Sequence, residues 1–374
     1  MRILLVGKYP PMQGGIAAKS YWLARALASR GIVYNVVTMA PKQYRTGGFR
    51  VPEHLAGHHV VEDGESPWFI PGGDLASECL VASALDACIA RKPDVVEVNY
   101  LAPFGLAGLH VARELGVPLV VRHAGSDLAK LLCFKPVARA LRAVFESAAA
   151  VATTKDNVQV VLGAGARGER TSVLPRYVPP PDAFAARPLP NASTKTLLVA
   201  GKLNFYWKWK ALDSLLDAVR TGDPWRILVV GDGVGKSSFV DRVCQHGQAG
   251  TVEFESFRTP EDMPGLLSEC HAVWAVRTPD DIGDPSNLAW EAAAAGRPCF
   301  VSGHQAAHTD MQLLRGLGAS MLTVMADDPD GIRRALSSAT TDAPEANVDF
   351  VALHDQYVDA QYRFYSRVAE GHGG

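Results

Sequence analysis

RILVVGDGVGKSSFVDRVCQHGQAGTVEFE, residues 226–255, holds one full turn of the pattern that runs through the whole chain. The apolar run 226–232 predicts a strand buried on both faces, residues 236–246 carry helical spacing, and TVEFE (251–255) predicts the next strand. Toward the C-terminus follow a helix over 261–269, a strand AVWAV (272–276), a helix over 287–295 and a strand PCFVS (298–302). Toward the N-terminus lie a strand TLLVAG (196–201) and a helix over 211–220. The first half keeps the same rhythm. Its strands are RILLV (2–6), VYNVVTM (33–39), DVVEVNY (94–100), PLVVRH (118–123) and AAAVATT (148–154), with helices over 20–29, 75–91 and 105–115. Fully apolar strands alternating with helices predict two open parallel α/β sheets. Such sheets bind ligands at the carboxyl ends of their strands, so two facing domains would place the site in the cleft between them.

Length and composition agree with this reading. The 374 residues allow two domains, and 48% apolar with 20% charged residues excludes a disordered or fibrous chain. A net charge of −2 excludes a general polyanion binder, so no nucleic-acid partner is expected. The six cysteines lie far apart with no CxxC pair, which predicts reduced thiols and no zinc site. The opening MRILLVGKYPP has too short an apolar run for a signal peptide, and no apolar window is long enough to span a bilayer. A cytoplasmic protein is expected. The charge is uneven: residues 1–180 carry 20 Lys and Arg against 14 Asp and Glu, whereas 181–374 carry 17 against 25. The break falls at PRYVPPPDAFAARPLP (175–190), whose six prolines predict a semi-rigid linker. The expected division is therefore 1–180, 181–350 and a terminal helical stretch, 351–374, crossing back onto the first domain.

Five motifs sit at strand exits. GKYPPMQGG (7–15) follows the first strand and precedes a helix, where Gly14 and Gly15 let a ligand approach backbone N–H groups. A turn that merely needs positive φ explains it equally well. GDGVGKSS (231–238) resembles a triphosphate loop, but only three residues separate Gly231 from the Gly-Lys pair, one too few. His123 and Asp127 close the strand PLVVRH, although a lone histidine is more often structural. Lys202 and Lys210 flank LNFYWKW after TLLVAG and suit a diphosphate leaving group, against the plainer reading of a solvated lysine cluster with Lys208. In GDPSNLAWEAAAAGRP (283–298), Ser286, Asn287 and Leu288 open a helix able to hold a phosphate, and Glu291 one turn in could accept ribose hydroxyls. A basic run, Lys130, Lys135, Arg139 and Arg142, interleaves with Leu131, Leu132, Phe134 and Leu141. It reads first as a solvated helix face and second as a contact for an anionic membrane or acceptor.

The order of these pieces resembles glycosyltransferase family 4, the retaining transferases of GT-B fold, across essentially the whole chain. The resemblance implies two Rossmann-like domains facing across a cleft. It places Gly14 and Gly15 against the donor diphosphate and acceptor, and His123 on the transferred sugar. Lys202 and Lys210 match the basic pair on the diphosphate, and Glu291 matches the acid that holds the nucleotide ribose. Ser286, Asn287 and Leu288 complete the donor site, with Asp284, and Tyr9, Asn99, Tyr100 and Asp127 are assigned to the acceptor. Three departures stand out. Gly283 occupies the usual place of the first acid, for which Asp281 or Asp284 could substitute. The Lys202–Lys210 spacing is three residues longer than is common, and GHQAAHTD (303–310) replaces a glycine-rich turn.

The expected function is transfer of a hexosyl-type group from a nucleotide sugar, UDP being the commonest choice, to an acceptor hydroxyl with retained configuration. No cofactor or metal is implied, because the lysines and helix N-terminus neutralise the diphosphate. The acceptor would be a glycan, a lipid-linked compound or a small metabolite, with weak peripheral membrane contact. Two other classes fit the same frame: a sugar-nucleotide epimerase or phosphorylase, and a non-catalytic nucleotide-binding partner protein.

Overall fold

A computed structural model describes residues 1–41, 49–63, 75–204, 210–220, 222–279, 285–339 and 349–371. Asp281, Gly283, Asp284 and Lys208, singled out above, lie outside the described residues. The chain forms two compact units, Met1–Arg176 with Asp355–Gly374, and Tyr177–Asp281 with Pro285–His354. These bounds stand against the expected 180/181 and 350/351.

The first unit is built on a seven-stranded, all-parallel sheet. Its strands are β1 (Arg2–Gly7), β2 (Val33–Pro41), β3 (Leu55–Asp63), β4 (Val95–Asn99), β5 (Leu119–Arg122), β6 (Ala150–Thr153) and β7 (Thr171–Val173), in the order β3-β2-β1-β4-β5-β6-β7. Both edge strands escaped the sequence reading. In β3, Gly57, His58 and His59 interrupt the apolar run, and β7 is only three residues long. One face of the sheet carries Leu4, Val6, Val96, Val98 and Val121, packed against helices α2 (Ala76–Asp86), α3 (Leu106–Leu115) and α5 (Lys135–Ser147), with α4 (Ser126–Leu131) between α3 and α5 in sequence. Gly108 lets α3 lie close on the sheet, since a Cβ there would overlap Val98 Cγ1.

Side chains alternate along a strand, so Glu97, between Val96 and Val98, leaves by the opposite face. There it meets the terminal helix, Phe350–Glu370. Arg122 Nε lies 3.0 Å from Glu97 Oε1 and 3.0 Å from the Tyr365 hydroxyl, and its Nη2 donates to Gln361 Oε1 at 2.7 Å. The Tyr365 hydroxyl donates to Glu97 Oε2, and the Tyr34 hydroxyl shares its proton between that oxygen (3.3 Å) and the Tyr365 hydroxyl (3.2 Å). All five residues are buried. An ion pair taken out of water holds only when its remaining hydrogen-bonding groups are satisfied, and the two tyrosines and the glutamine do this. The terminal helix thus belongs largely to the first unit, as its length suggested.

The second unit has a six-stranded parallel sheet of β8 (Lys195–Ala200), β9 (Trp225–Val230), β10 (Val252–Glu255), β11 (Ala272–Trp274), β12 (Cys299–Ser302) and β13 (Met321–Val324), in the order β10-β9-β8-β11-β12-β13. Leu197, Ile227, Val229, Trp274 and Phe300 lie in its core with Leu215, Phe239 and Ile332 from the helices. The proline-rich stretch is fastened to this unit. Arg297 Nη2 donates to the carbonyls of Arg187 (2.8 Å) and Pro188 (3.1 Å). His271 accepts from Thr196 N–H at its Nδ1 (2.9 Å), so its Nε2 carries the proton and donates to the Pro190 carbonyl (3.0 Å). All six cysteines are free thiols, and no helix among the described residues is long and apolar enough to cross a membrane.

Candidate functional site

In the second unit Lys202 and Lys210 follow β8, and Ser286, Asn287, Leu288 and Glu291 follow β11, the strand beside it. After β8 the chain turns through Gly201–Lys202–Leu203–Asn204, and this turn is stacked on the one that follows β9. Leu203 N–H donates to Asp232 O at 3.0 Å, and Gly235 N–H to Leu203 O at 2.7 Å. The contact is tight enough that a Cβ on Gly231 would overlap the Gly201 carbonyl. Gly233, at φ +154, leaves no room for a side chain against Leu203 and Asn204. This explains Gly231 and Gly233 of GDGVGKSS without any triphosphate. Its Lys236 is turned onto Asp232 at 3.2 Å. The stacked turns present Lys202, half-buried, and Lys210 stands exposed immediately before the helix Ala211–Ala218.

The helix Asn287–Ala294 starts as expected, with Ser286 as its cap. Ser286 Oγ accepts the Leu288 N–H at 3.3 Å, so that amide, assigned above to the donor, is engaged within the chain. Glu291 is buried in this helix, and burial pushes its carboxyl from 4.5 up to about 8, opposed by the Tyr177 hydroxyl, which favours the charged form. Tyr177 was not singled out in the sequence, because it stands in the proline-rich stretch read only as a linker. Its electrostatic influence on Glu291 brings that stretch beside the helix Asn287–Ala294.

The first unit gathers a second group at the exits of β1, β4 and β5. Gly14, at φ +116, precedes the helix Gly15–Ala28, whose start has no side-chain cap and no acidic residue in its first turn. Gly15 is exposed. Behind this loop, Lys8 is buried with its Nζ 3.3 Å from the centre of the Tyr100 ring. Tyr100 itself takes φ +82, a conformation that bulky residues rarely adopt. Asp127 is fully buried and accepts three backbone N–H groups, from Ala124 (2.8 Å), Leu128 (2.9 Å) and Leu101 (3.1 Å). Burial raises its pKa, and those amides and the charge of Lys8 oppose the rise.

The four residues assigned to the acceptor are buried, and polar groups of three of them, Asp127, Asn99 and Tyr9, are engaged within the chain. Asp127 ties the turn after His123 to the exit of β4. Asn99 donates to Ser20 Oγ at 2.5 Å, and the Tyr9 hydroxyl lies 3.3 Å from His54 Nε2 in a fully buried position. Tyr100 is buried, and both burial and Asp127 raise its pKa well above the usual value. His123 differs. It is half-buried, with Nδ1 accepting the Gly125 N–H at 3.1 Å and Nε2 2.8 Å from Thr153 Oγ1. Thr153, at the end of β6, is another residue the sequence did not flag. Among the described residues, no three His, Cys, Asp or Glu side chains come together as a metal site would require.

Residues 14–176 match the family model of the glycosyl transferase 4-like domain, which begins at the first glycine of the GlyGly loop. No curated protein matches the chain in sequence. Among solved structures, HepE of Anabaena in complex with UDP and glucose is similar at 18% identity and a TM-score of 0.68, covering 99% of both chains. Sucrose-phosphate synthase of Thermosynechococcus elongatus follows at 16% identity and 0.67, covering 100% of this chain and 97% of its own. The UDP-GlcNAc 2-epimerase of Methanocaldococcus jannaschii is similar at 11% identity and 0.58, covering 98% and 100%. That family match is confined to residues 14–176, and the two parallel-sheet units have the GT-B fold of these solved structures.

Proposed function

We propose that the chain is a retaining glycosyltransferase that moves a hexosyl-type group from a UDP-sugar to an acceptor hydroxyl without a metal. The observation that supports this reading is that Lys202 and Lys210 follow β8 while the helix that opens at Ser286 and bears the buried Glu291 follows β11, the adjacent parallel strand. Two cations and a helix N-terminus suit a diphosphate. A carboxyl group with a ready partner in Tyr177 suits ribose hydroxyls. The UDP and UDP-glucose complexes of the structural neighbour HepE support the choice of base.

In the reaction, the acceptor oxygen bonds to the anomeric carbon on the same face from which the diphosphate departs. The acceptor proton passes to the leaving phosphate oxygen, and Lys202 and Lys210 stabilise the charge that develops there. His123 orients the sugar rather than taking a proton. The acceptor belongs with the first unit, whose Gly14–Gly15 loop opens a helix with no acidic residue in its first turn. Phe134 is 59% exposed at the start of a helix carrying Lys135, Arg139 and Arg142 on its outer side. This favours an acceptor met at an anionic membrane surface.

Calorimetric titration with UDP, GDP and ADP tests the reading. Micromolar binding of UDP, lost in a Lys202→Ala, Lys210→Ala double variant, is expected. Binding of none of the three would sink it and return the weight to a partner protein. An epimerase, as one structural neighbour is, would instead consume UDP-sugar without an acceptor and release free sugar, which product analysis distinguishes.

A further inference from the structure

The His123 ring stands in a directional chain of hydrogen bonds. Gly125, at φ +71, bends the backbone so that its N–H points at Nδ1, 3.1 Å away. An N–H can only donate, so Nδ1 is the acceptor and the proton of the neutral ring sits on Nε2. Nε2–H then donates to Thr153 Oγ1 at 2.8 Å, and the threonine hydroxyl passes its own proton on toward the Thr154 carbonyl at 3.5 Å. Each member donates to the next, and no other proton arrangement satisfies all three contacts. The backbone beneath is fixed as well, because Asp127 holds the N–H of Ala124, the residue between His123 and Gly125.

We infer that Thr153 is a positioning residue which, with the Gly125 amide, holds His123 as a neutral Nε2–H donor at the exit of β5. A ligand hydroxyl reaching this ring meets a donor whose proton is already on Nε2, and Thr153 yields that bond or shares it. A base at the same place would need Nε2 free of its proton, which the Gly125 contact opposes. The inference deepens the transferase reading and rests on it only for what the donor is for. The tautomer itself stands on the distances above.

The experiment has two arms on the full-length chain. In the first, ring-¹⁵N-labelled histidine is followed by NMR, with His123 identified by its loss in His123→Gln. The wild type should show an unprotonated Nδ1 and a protonated Nε2 at pH 7, and Thr153→Val should shift both signals while Thr153→Ser restores them. In the second, UDP and UDP-glucose are titrated into the same proteins. Thr153→Val should leave UDP affinity unchanged and weaken UDP-glucose about tenfold, with Thr153→Ser within about twofold of wild type. A proton on Nδ1, or ring signals that Thr153→Val does not move, overturns the inference. If the wild type binds neither UDP nor UDP-glucose, the transferase reading fails while the NMR arm still decides the tautomer.

Discussion

Replacing Glu291 with glutamine should make the second unit more stable at neutral pH, by an amount that grows with pH. The carboxyl is held at about 8 in the folded chain against an ordinary 4.5. The fold therefore prefers the neutral acid, and the stability this brings is complete below pH 4.5 and drains away as pH rises through 8. Linkage between those two values gives a loss of about 3 kcal/mol by pH 7 and about 5 kcal/mol once the group is fully ionised. Glutamine has nearly the same shape and no charge to bury, so it escapes that loss. For a unit of this size, about 3 kcal/mol corresponds to roughly 6–12 °C in melting temperature. The assay is thermal unfolding of both proteins from pH 4.5 to pH 9. Near-equal midpoints at pH 4.5 that diverge upward in favour of glutamine are expected. Saturating UDP should narrow the gap, because a ribose hydroxyl donating to the carboxylate restores the value of its charge. A gap that stays constant across the range would refute the reasoning, since only burial of the ionised group makes it depend on pH.

Three further outcomes are expected. Gly231→Ala, which sets a Cβ against the Gly201 carbonyl, should lower stability by about 1–3 kcal/mol or more and weaken UDP binding together, as judged by urea unfolding and calorimetry. Arg122→Ala leaves Glu97 buried without its partner and should cost about 3–5 kcal/mol, with hydrogen exchange rising selectively across residues 357–368. Phe134→Ala and the charge reversal Lys135→Glu, Arg139→Glu should each abolish co-sedimentation with vesicles containing phosphatidylglycerol while leaving UDP affinity intact. Equal sedimentation of all variants would remove the membrane from the account.

The parallel strands were legible wherever both faces are buried, because RILLV, TLLVAG and RILVV then read as unbroken apolar runs. The edge strands β3 and β7 were not, because Gly57, His58 and His59 interrupt the apolar run of β3 and β7 has only three residues. Lys202, Lys210 and Glu291 could be singled out in the sequence because they stand at fixed offsets from a strand end and a helix start. The acceptor side was harder. Asp127, Asn99 and Tyr9 stand at strand exits like ligand-binding residues, but folding turns their polar atoms inward to hold the loops. No local pattern distinguishes a side chain that faces the ligand from one that braces its neighbour. Thr153 and Tyr177 were invisible for the same reason: each matters through a partner far away in the sequence.

The bond between Tyr34 and Tyr365 joins residues 331 positions apart, in a unit whose other members are nearly all in the first half of the chain. On the ribosome this makes the first sheet wait. Its strands emerge early, yet Glu97 and Arg122 lie on a bare face until the terminal helix is made, on the order of ten to forty seconds later at ordinary rates of synthesis. During that interval a long apolar surface with a charged pair at its centre is open to chaperones. The pair discourages association with other chains, since burying it without Tyr365 and Gln361 is unfavourable. The same residues that fasten the finished fold thus protect the unfinished one.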